Sequence, residues 1–234
     1  MIKEAVILAG GEGKRMNAAV PKPLLEINGK PIIISKIEKL TAAGFEICLV
    51  VSEKSKNIFE QKLVDYPITY VVQGQEKGTA AALCAAKDFV KDDLFLVEMG
   101  DDVYYFDADK VRNYENPTVF GFEMEDVTGY GVLITDERGN VTDILEKQRS
   151  GKGIANTGMY IMPKSFFDLY KDIPVNEGNG ERYLTNAISL LRKRGILFDA
   201  KNIEFWVGIN TPEQLKIADT KVREIESLNN KRFQ

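Results

Sequence analysis

The sequence contains no histidine. That removes Ser–His and Cys–His nucleophilic pairs and most zinc sites. Chemistry has to run on carboxylates, Lys, Arg, amides, backbone N–H groups or a hard metal ion. Cysteine is scarce: Cys48 and Cys84 are the whole complement, each inside an apolar segment and neither at metal or redox spacing. Both read as small buried hydrophobes in a reducing, cytoplasmic setting. Long apolar runs are missing too. None approaches the ~18 residues that a membrane span needs, so no membrane partner is expected. The apolar stretch in MIKEAVILAGG follows Glu4 and precedes a glycine-rich basic segment. It reads as a first buried strand rather than a signal peptide. Excess positive charge is also lacking, with 31 Lys and Arg against 35 Asp and Glu, a net −4. That argues against a nucleic-acid partner.

What is present suits a soluble α/β protein. A chain of 234 residues with 44% hydrophobic composition is ample for a large core. In the first half, short apolar runs at Ala5–Ala9, Ile47–Val51, Ile68–Val72 and Leu94–Glu98 predict strands. Between them, Pro31–Ala43, Lys54–Leu63 and Thr79–Phe89 carry helical patterns. This alternation predicts βαβ units and a parallel sheet covered on both faces. In the second half, strands are expected at Val119–Met124, Tyr130–Thr135, Val141–Glu146, Ile154–Met162, Leu197–Ala200 and Ile203–Val207. Helices are expected at Lys164–Tyr170, Arg182–Lys193 and from Thr211 to about Leu228. The expectation is one α/β domain with a Rossmann-like mixed, mostly parallel sheet and helices on both faces.

The segment Leu8-Ala9-Gly10-Gly11-Glu12-Gly13-Lys14-Arg15-Met16 follows the first strand. Its glycines let a backbone approach a bulky anion closely, and their N–H groups can form an anion-binding nest. Lys14, Arg15 and Lys22 add positive charge, so a nucleoside triphosphate is a natural ligand. Two familiar motifs fail on spacing. A P-loop wants Gly where Leu8 stands and Ser or Thr where Arg15 stands; a dinucleotide fingerprint wants Gly at Met16. A flexible glycine turn with solvated basic residues is the competing reading of this loop alone. In Pro21-Lys22-Pro23, two prolines hold the backbone on each side of one Lys and pre-orient its charge.

Taken together, LAGGEGKRM and PKPLLEI resemble the sugar-phosphate nucleotidyltransferase family. The resemblance continues in the family's order through QGQEKGTAAAL, EMGDD, GYGVL, ILEK, ANTGMYIM, ERYLTNAI and WVGINTPE. It implies transfer of a nucleotidyl group from an NTP, UTP before dTTP, to a sugar 1-phosphate of glucose or N-acetylglucosamine type. It also implies one domain over residues 1–234, with a nucleotide-binding half over 1–115 and a sugar-phosphate half with the C-terminal helix over 116–234. No hexapeptide repeat is present, so no left-handed β-helix domain is expected. A monomer or small homo-oligomer is expected.

Residue by residue, Leu8, Ala9, Gly10, Gly11 and Gly13 match the positions that hold the nucleotide. Arg15 and Lys22 match the catalytic basic residues on the triphosphate and the reacting phosphate. Gln73, Gly78 and Thr79 match the base-reading segment; Thr79 also reads as a helix N-cap. Asp101 matches the family's magnesium-binding Asp, and Mg²⁺ is the implied cofactor. The adjacent Asp102 reads as a solvated turn residue, with assistance at the metal site as the alternative. Tyr130, Gly131, Glu146, Lys147, Asn156 and Thr157 match the sugar-phosphate side. Tyr183 and Thr185 match a further segment that lines the sugar pocket in the N-acetylglucosamine enzymes. Many relatives carry Asp where this chain has Gly208. Gly208-Ile209-Asn210 fits the N-acetylglucosamine version instead, which implies Asn210 as the second metal ligand.

Two other readings stay open. A cytidylyltransferase acting on an alcohol phosphate such as phosphocholine or inositol phosphate would use the same metal logic, and Tyr104, Tyr105 and Phe106 could cage a quaternary ammonium. A non-catalytic nucleotide-binding regulatory module is the alternative of another class; Arg15, Lys22 and Asp101 argue against it.

Overall fold

A computed structural model describes residues 1–11 and 20–232 of the chain. Strand β1 (Glu4–Leu8) starts the sheet. A 3-10 turn (Lys22–Leu24) and a small hairpin, β2 (Glu26–Ile27) with β3 (Lys30–Pro31), lead into α1 (Ile32–Ala42). Then follow β4 (Glu46–Val51), α2 (Lys56–Lys62), β5 (Ile68–Val72), α3 (Thr79–Ala85) and β6 (Leu94–Met99). Next come β7 (Asp102–Tyr105), α4 (Ala108–Arg112), β8 (Thr118–Met124), β9 (Gly131–Thr135), β10 (Val141–Glu146) and β11 (Gly153–Pro163). The chain closes with α5 (Phe166–Leu169), α6 (Leu184–Lys193), β12 (Asp199–Asn202), β13 (Phe205–Gly208) and α7 (Pro212–Arg232).

The main sheet runs β10-β9-β11-β6-β1-β4-β5, with β8 paired to β11 and β12 to β8. The neighbours β6-β1, β1-β4 and β4-β5 are parallel. β11 then joins antiparallel to β6, and the later strands turn the sheet mixed. β1 shows why this half is covered on both faces. Its alternate residues Ala5 and Ile7 pack with Ile33, Ile37 and Leu40 of α1 and Phe59 of α2. Val6 and Leu8 pack on the other face with Ala80 and Leu83 of α3 and Ile188 and Leu191 of α6. A strand buried on both sides needs apolar residues at every position, which is the pattern read from the sequence. Glu4, 5% exposed, fits at the strand's start because its carboxylate accepts from the backbone N–H groups of Lys91 and Asp92.

Three elements differ from expectation. β7 and α4 lie in a stretch with no expected element. The segment expected as a strand at Ile203–Val207 becomes β13 and leaves the main sheet to pair with β7, Gly208 opposite Asp102 and Trp206 opposite Tyr104. The four residues of β7 hold too short a pattern to declare a strand; their conformation depends on a partner a hundred residues away. The C-terminal α7 folds back on the N-terminal hairpin, where Ile209 and Ala218 pack with Ile27 and Ile32. Its first turn carries a reciprocal cap: the Thr211 hydroxyl accepts from Gln214 N–H, and the Gln214 amide oxygen accepts from Thr211 N–H. No helix among the described residues is long and apolar enough to cross a membrane.

Candidate active site

A cleft of about 710 Å³ opens at the carboxyl ends of the parallel strands. It is lined by Leu8, Ala9, Gly10 and Gly11 after β1, Ser52 after β4, Gln73 to Thr79 after β5, and Met99 and Asp101 after β6. Lys22, Pro23, Ala82, Glu181 and Asn210 complete the wall. Open α/β sheets bind ligands at this edge because the loops after adjacent parallel strands converge there. Of the nucleotide, catalytic and metal residues expected from the sequence, Leu8, Ala9, Gly10, Gly11, Lys22, Gln73, Gly78, Thr79, Asp101 and Asn210 all meet in this one cleft. Gly13 and Arg15 lie outside the described residues.

Lys22 is the hub. Its side chain is enclosed (10% exposed), and its ammonium donates to the Ile209 carbonyl at 2.9 Å. The same Nζ stands 3.4 Å from Asp101 Oδ2 and 3.4 Å from Asn210 Oδ1. Two residues far apart in sequence thus turn side-chain oxygens toward one cationic point. A carboxylate and an amide oxygen are hard donors of the kind Mg²⁺ takes alongside phosphate and water, so this pair fits the implied metal.

Across the cleft, the Gln73 amide nitrogen donates to the Glu76 carbonyl. Its Oε1 lies 2.8 Å from where a β-carbon on residue 10 would be, so Gly10 makes room for it. Gly78 has φ +99°, and an added β-carbon would stand 2.3 Å from the Arg182 carbonyl oxygen. The glycine lets the loop after β5 lie flat against the chain entering α6. The Thr79 hydroxyl does not cap its own helix: it accepts from the N–H of Leu184 and so caps α6. These loops therefore form a clamp built from two distant segments.

The residues expected on the sugar-phosphate side do not line this cleft. Gly131 and Glu146 are partners across β9 and β10, with the Glu146 carboxylate over the bare face of Gly131. Lys147 N–H donates to the Tyr130 carbonyl at 3.1 Å. Asn156 uses its amide internally, donating to the Tyr160 hydroxyl and accepting from Gly158 N–H. Thr157 is buried and donates to the Phe120 carbonyl, a structural bond. Tyr183 pairs with Asn179, and Thr185 is buried at the start of α6.

The chain matches the family described as Nucleotidyl transferase over residues 4–224. It belongs to that family. It is 32% identical over 238 residues to the UTP–glucose-1-phosphate uridylyltransferase AglF of Haloferax volcanii, covering 94% of this chain and 97% of that one. It is 33% identical over 218 residues to the bifunctional protein GlmU of Methanocaldococcus jannaschii, covering 89% of this chain but 52% of GlmU, so it spans about half the length of that relative. Among solved structures, HddC from Yersinia pseudotuberculosis, complexed with GMP-PN, superposes with a TM-score of 0.74 at 28% identity, covering 94% of this chain and all of that one. Apo UDP-glucose pyrophosphorylase, at 21% identity and a TM-score of 0.81 over 97% of this chain and all of that one, shares the fold.

Three features of this family member depart from, or were absent from, the expectations drawn from its sequence. Asp102 is not a solvated turn residue. Its Oδ2 accepts from the Trp206 indole at 3.0 Å, and its carboxyl is pushed up to about 7, by burial first and by the neighbouring Asp101 second. Gln214 links the two sides of the site: its Oε1 accepts from Asn210 N–H at 2.7 Å, and its Nε2 donates to the Tyr130 hydroxyl at 3.1 Å. The rings considered as an ammonium cage are already filled from within. Lys36 lies 3.9 Å above Tyr104, and Lys39 lies 3.5 Å above Phe106. The i, i+3 spacing of Lys36 and Lys39 on a helix was the available signal for that pair.

Proposed function

We propose that this chain transfers a nucleotidyl group from an NTP, with UTP preferred, to a sugar 1-phosphate of glucose or N-acetylglucosamine type, releasing pyrophosphate. The observation that carries the reading is the convergence of Asp101 Oδ2 and Asn210 Oδ1 on Lys22 Nζ at the mouth of a glycine-lined cleft. AglF, similar along nearly its whole length, supports the choice of UTP and a glucose-type acceptor.

An oxygen of the sugar phosphate attacks the α-phosphorus of the NTP in line. The new P–O bond forms as the bond to the β-phosphate oxygen breaks, and pyrophosphate leaves with that electron pair. A phosphomonoester has a second pKa of about 6 and is largely dianionic at neutral pH. The attack needs no general base, in keeping with a chain that has no His. The difficulty is the approach of two anions. Asp101 and Asn210 would hold Mg²⁺, which when bound neutralises phosphate charge and aligns phosphate oxygens. Lys22 lies beside the same point, and the Gly10–Gly11 backbone lines the triphosphate side. Gln73, over Gly10, would meet the base edge with its side-chain amide, which can pair with both a donor and an acceptor. Glu146, exposed across from Gly131, is the acceptor for sugar hydroxyls.

The test is pyrophosphate release over a grid of UTP, dTTP, CTP and GTP against glucose 1-phosphate, N-acetylglucosamine 1-phosphate and phosphocholine. UTP with a hexose 1-phosphate is expected to lead. Asp101→Ala should lower the rate by roughly a hundredfold or more while circular dichroism stays native. Undiminished release by that variant would remove the metal assignment, and release confined to CTP with phosphocholine would replace the function.

A further inference from the structure

The cation held between Asp101 and Asn210 in this structure belongs to the protein. Lys22 Nζ stands 3.4 Å from each of the two oxygens that the proposed function gives to a divalent ion. An ion that draws both oxygens to itself takes over the electrostatic place of the ammonium. Two cations at such range in a partly enclosed site repel strongly. Lys22 and the metal therefore compete for one pair of ligands.

The local chain says what has to move. Lys22 lies between Pro21 and Pro23 in a 3-10 turn whose backbone is pinned by Leu24 N–H to the Pro21 carbonyl and Leu25 N–H to the Lys22 carbonyl. Proline fixes φ on either side, so the response falls to the four-carbon side chain. That side chain already lines the cleft. Swung off the Ile209 carbonyl, its ammonium would turn into that cleft.

We propose that Lys22 is an exchangeable internal cation: its ammonium balances the Asp101 carboxylate and donates to the Asn210 amide oxygen, and a divalent ion that takes those two oxygens releases it toward the substrate phosphates. This rests on the reading of Asp101 and Asn210 as metal ligands. It couples the two binding events by linkage, since metal loading frees the lysine that attracts the nucleotide.

The experiment uses Mn²⁺ as the probe, followed by electron paramagnetic resonance on the free protein without nucleotide. Lys22→Met removes the competitor and keeps the aliphatic stem. It should bind Mn²⁺ about tenfold more tightly than wild type, while Lys22→Arg, which keeps a cation, should not. In parallel, acetylation of wild-type lysines is read by mass spectrometry. Lys22 should be protected in EDTA and become reactive when Mn²⁺ is bound. Equal or weaker Mn²⁺ binding by Lys22→Met, no Mn²⁺ binding by either protein, or Lys22 acetylation unchanged by bound Mn²⁺ would overturn the proposal. If the Met variant does not fold, the wild-type acetylation decides. Pyrophosphate release by wild type separates the two readings: exchange without release sinks the transferase, and release without exchange sinks only the exchange.

Discussion

Asp102 stands directly across the β7–β13 ribbon from Gly208, and its Oδ1 lies 3.2 Å from where a β-carbon on residue 208 would be. Gly208 carries no side chain, and the Asp102 carboxylate from the neighbouring strand reaches into that space. Gly208→Asp would set a second carboxylate against the first in a buried place. We expect a loss of roughly 2–4 kcal/mol in urea unfolding. Adding Asp102→Asn to Gly208→Asp should recover at least about 1 kcal/mol through the pairwise coupling. Additive losses in the double mutant would show that the two positions do not share this space.

Gly78 is the position least able to accept a side chain. Its φ of +99° is unfavourable for any β-carbon, and the Arg182 backbone occupies the space a methyl would need. Gly78→Ala should cost at least about 2 kcal/mol. It should also open the junction between α3 and α6, read as faster amide exchange at Leu184, whose N–H is held by Thr79. Wild-type stability and exchange in this variant would contradict the packing described.

Lys39 gives the protein a pH dependence. Burial is the main cause that lowers its ammonium to about 8, the pull of Glu98 opposing it in part, and its Nζ has no hydrogen-bond acceptor among the described residues. The unfolded value is near 10.4, so above about pH 8 the unfolded chain binds more protons than the folded one and stability from this group rises with pH. Below about pH 8 the full cost of the buried charge is present. Lys39→Met should therefore be more stable than wild type at neutral pH, by roughly 1–2 kcal/mol. The gap should shrink as pH rises through about 8 toward 10. Subtracting the two proteins cancels other titrations; a gap that widens with pH would reverse the assignment.

Cys48 should be chemically silent in the native protein. It is fully buried in β4, and burial pushes its thiol up to about 12. Reaction with a thiol reagent near pH 8 should be confined to the half-buried Cys84, whose thiol is also raised, chiefly by burial. Both should react at once in denaturant. Fast native labelling of Cys48 would mean that β4 is accessible, against the sheet order found.

The local sequence determined the elements of the main sheet and the nucleotide edge. Apolar runs without alternation marked β1, β4 and β6, and a strand with helices on both faces needs that pattern. Gly10, Gly11 and Lys22 marked the cleft because backbone approach and fixed charge are properties of neighbouring residues. Tertiary structure decided the rest. The β7–β13 ribbon forms through pairing across a hundred residues, and it holds Asp102 against the Trp206 indole while Asn210 and Asp101 meet at Lys22. Thr79 caps a helix that begins 105 residues later, and Gln214 ties Asn210 to Tyr130. Such contacts are set by strand register and by which unsatisfied N–H or carboxylate meets a partner on collapse, and no local period encodes either. Lys22 shows both levels at once: two prolines fixed where its charge begins, and the fold chose the two oxygens where it ends.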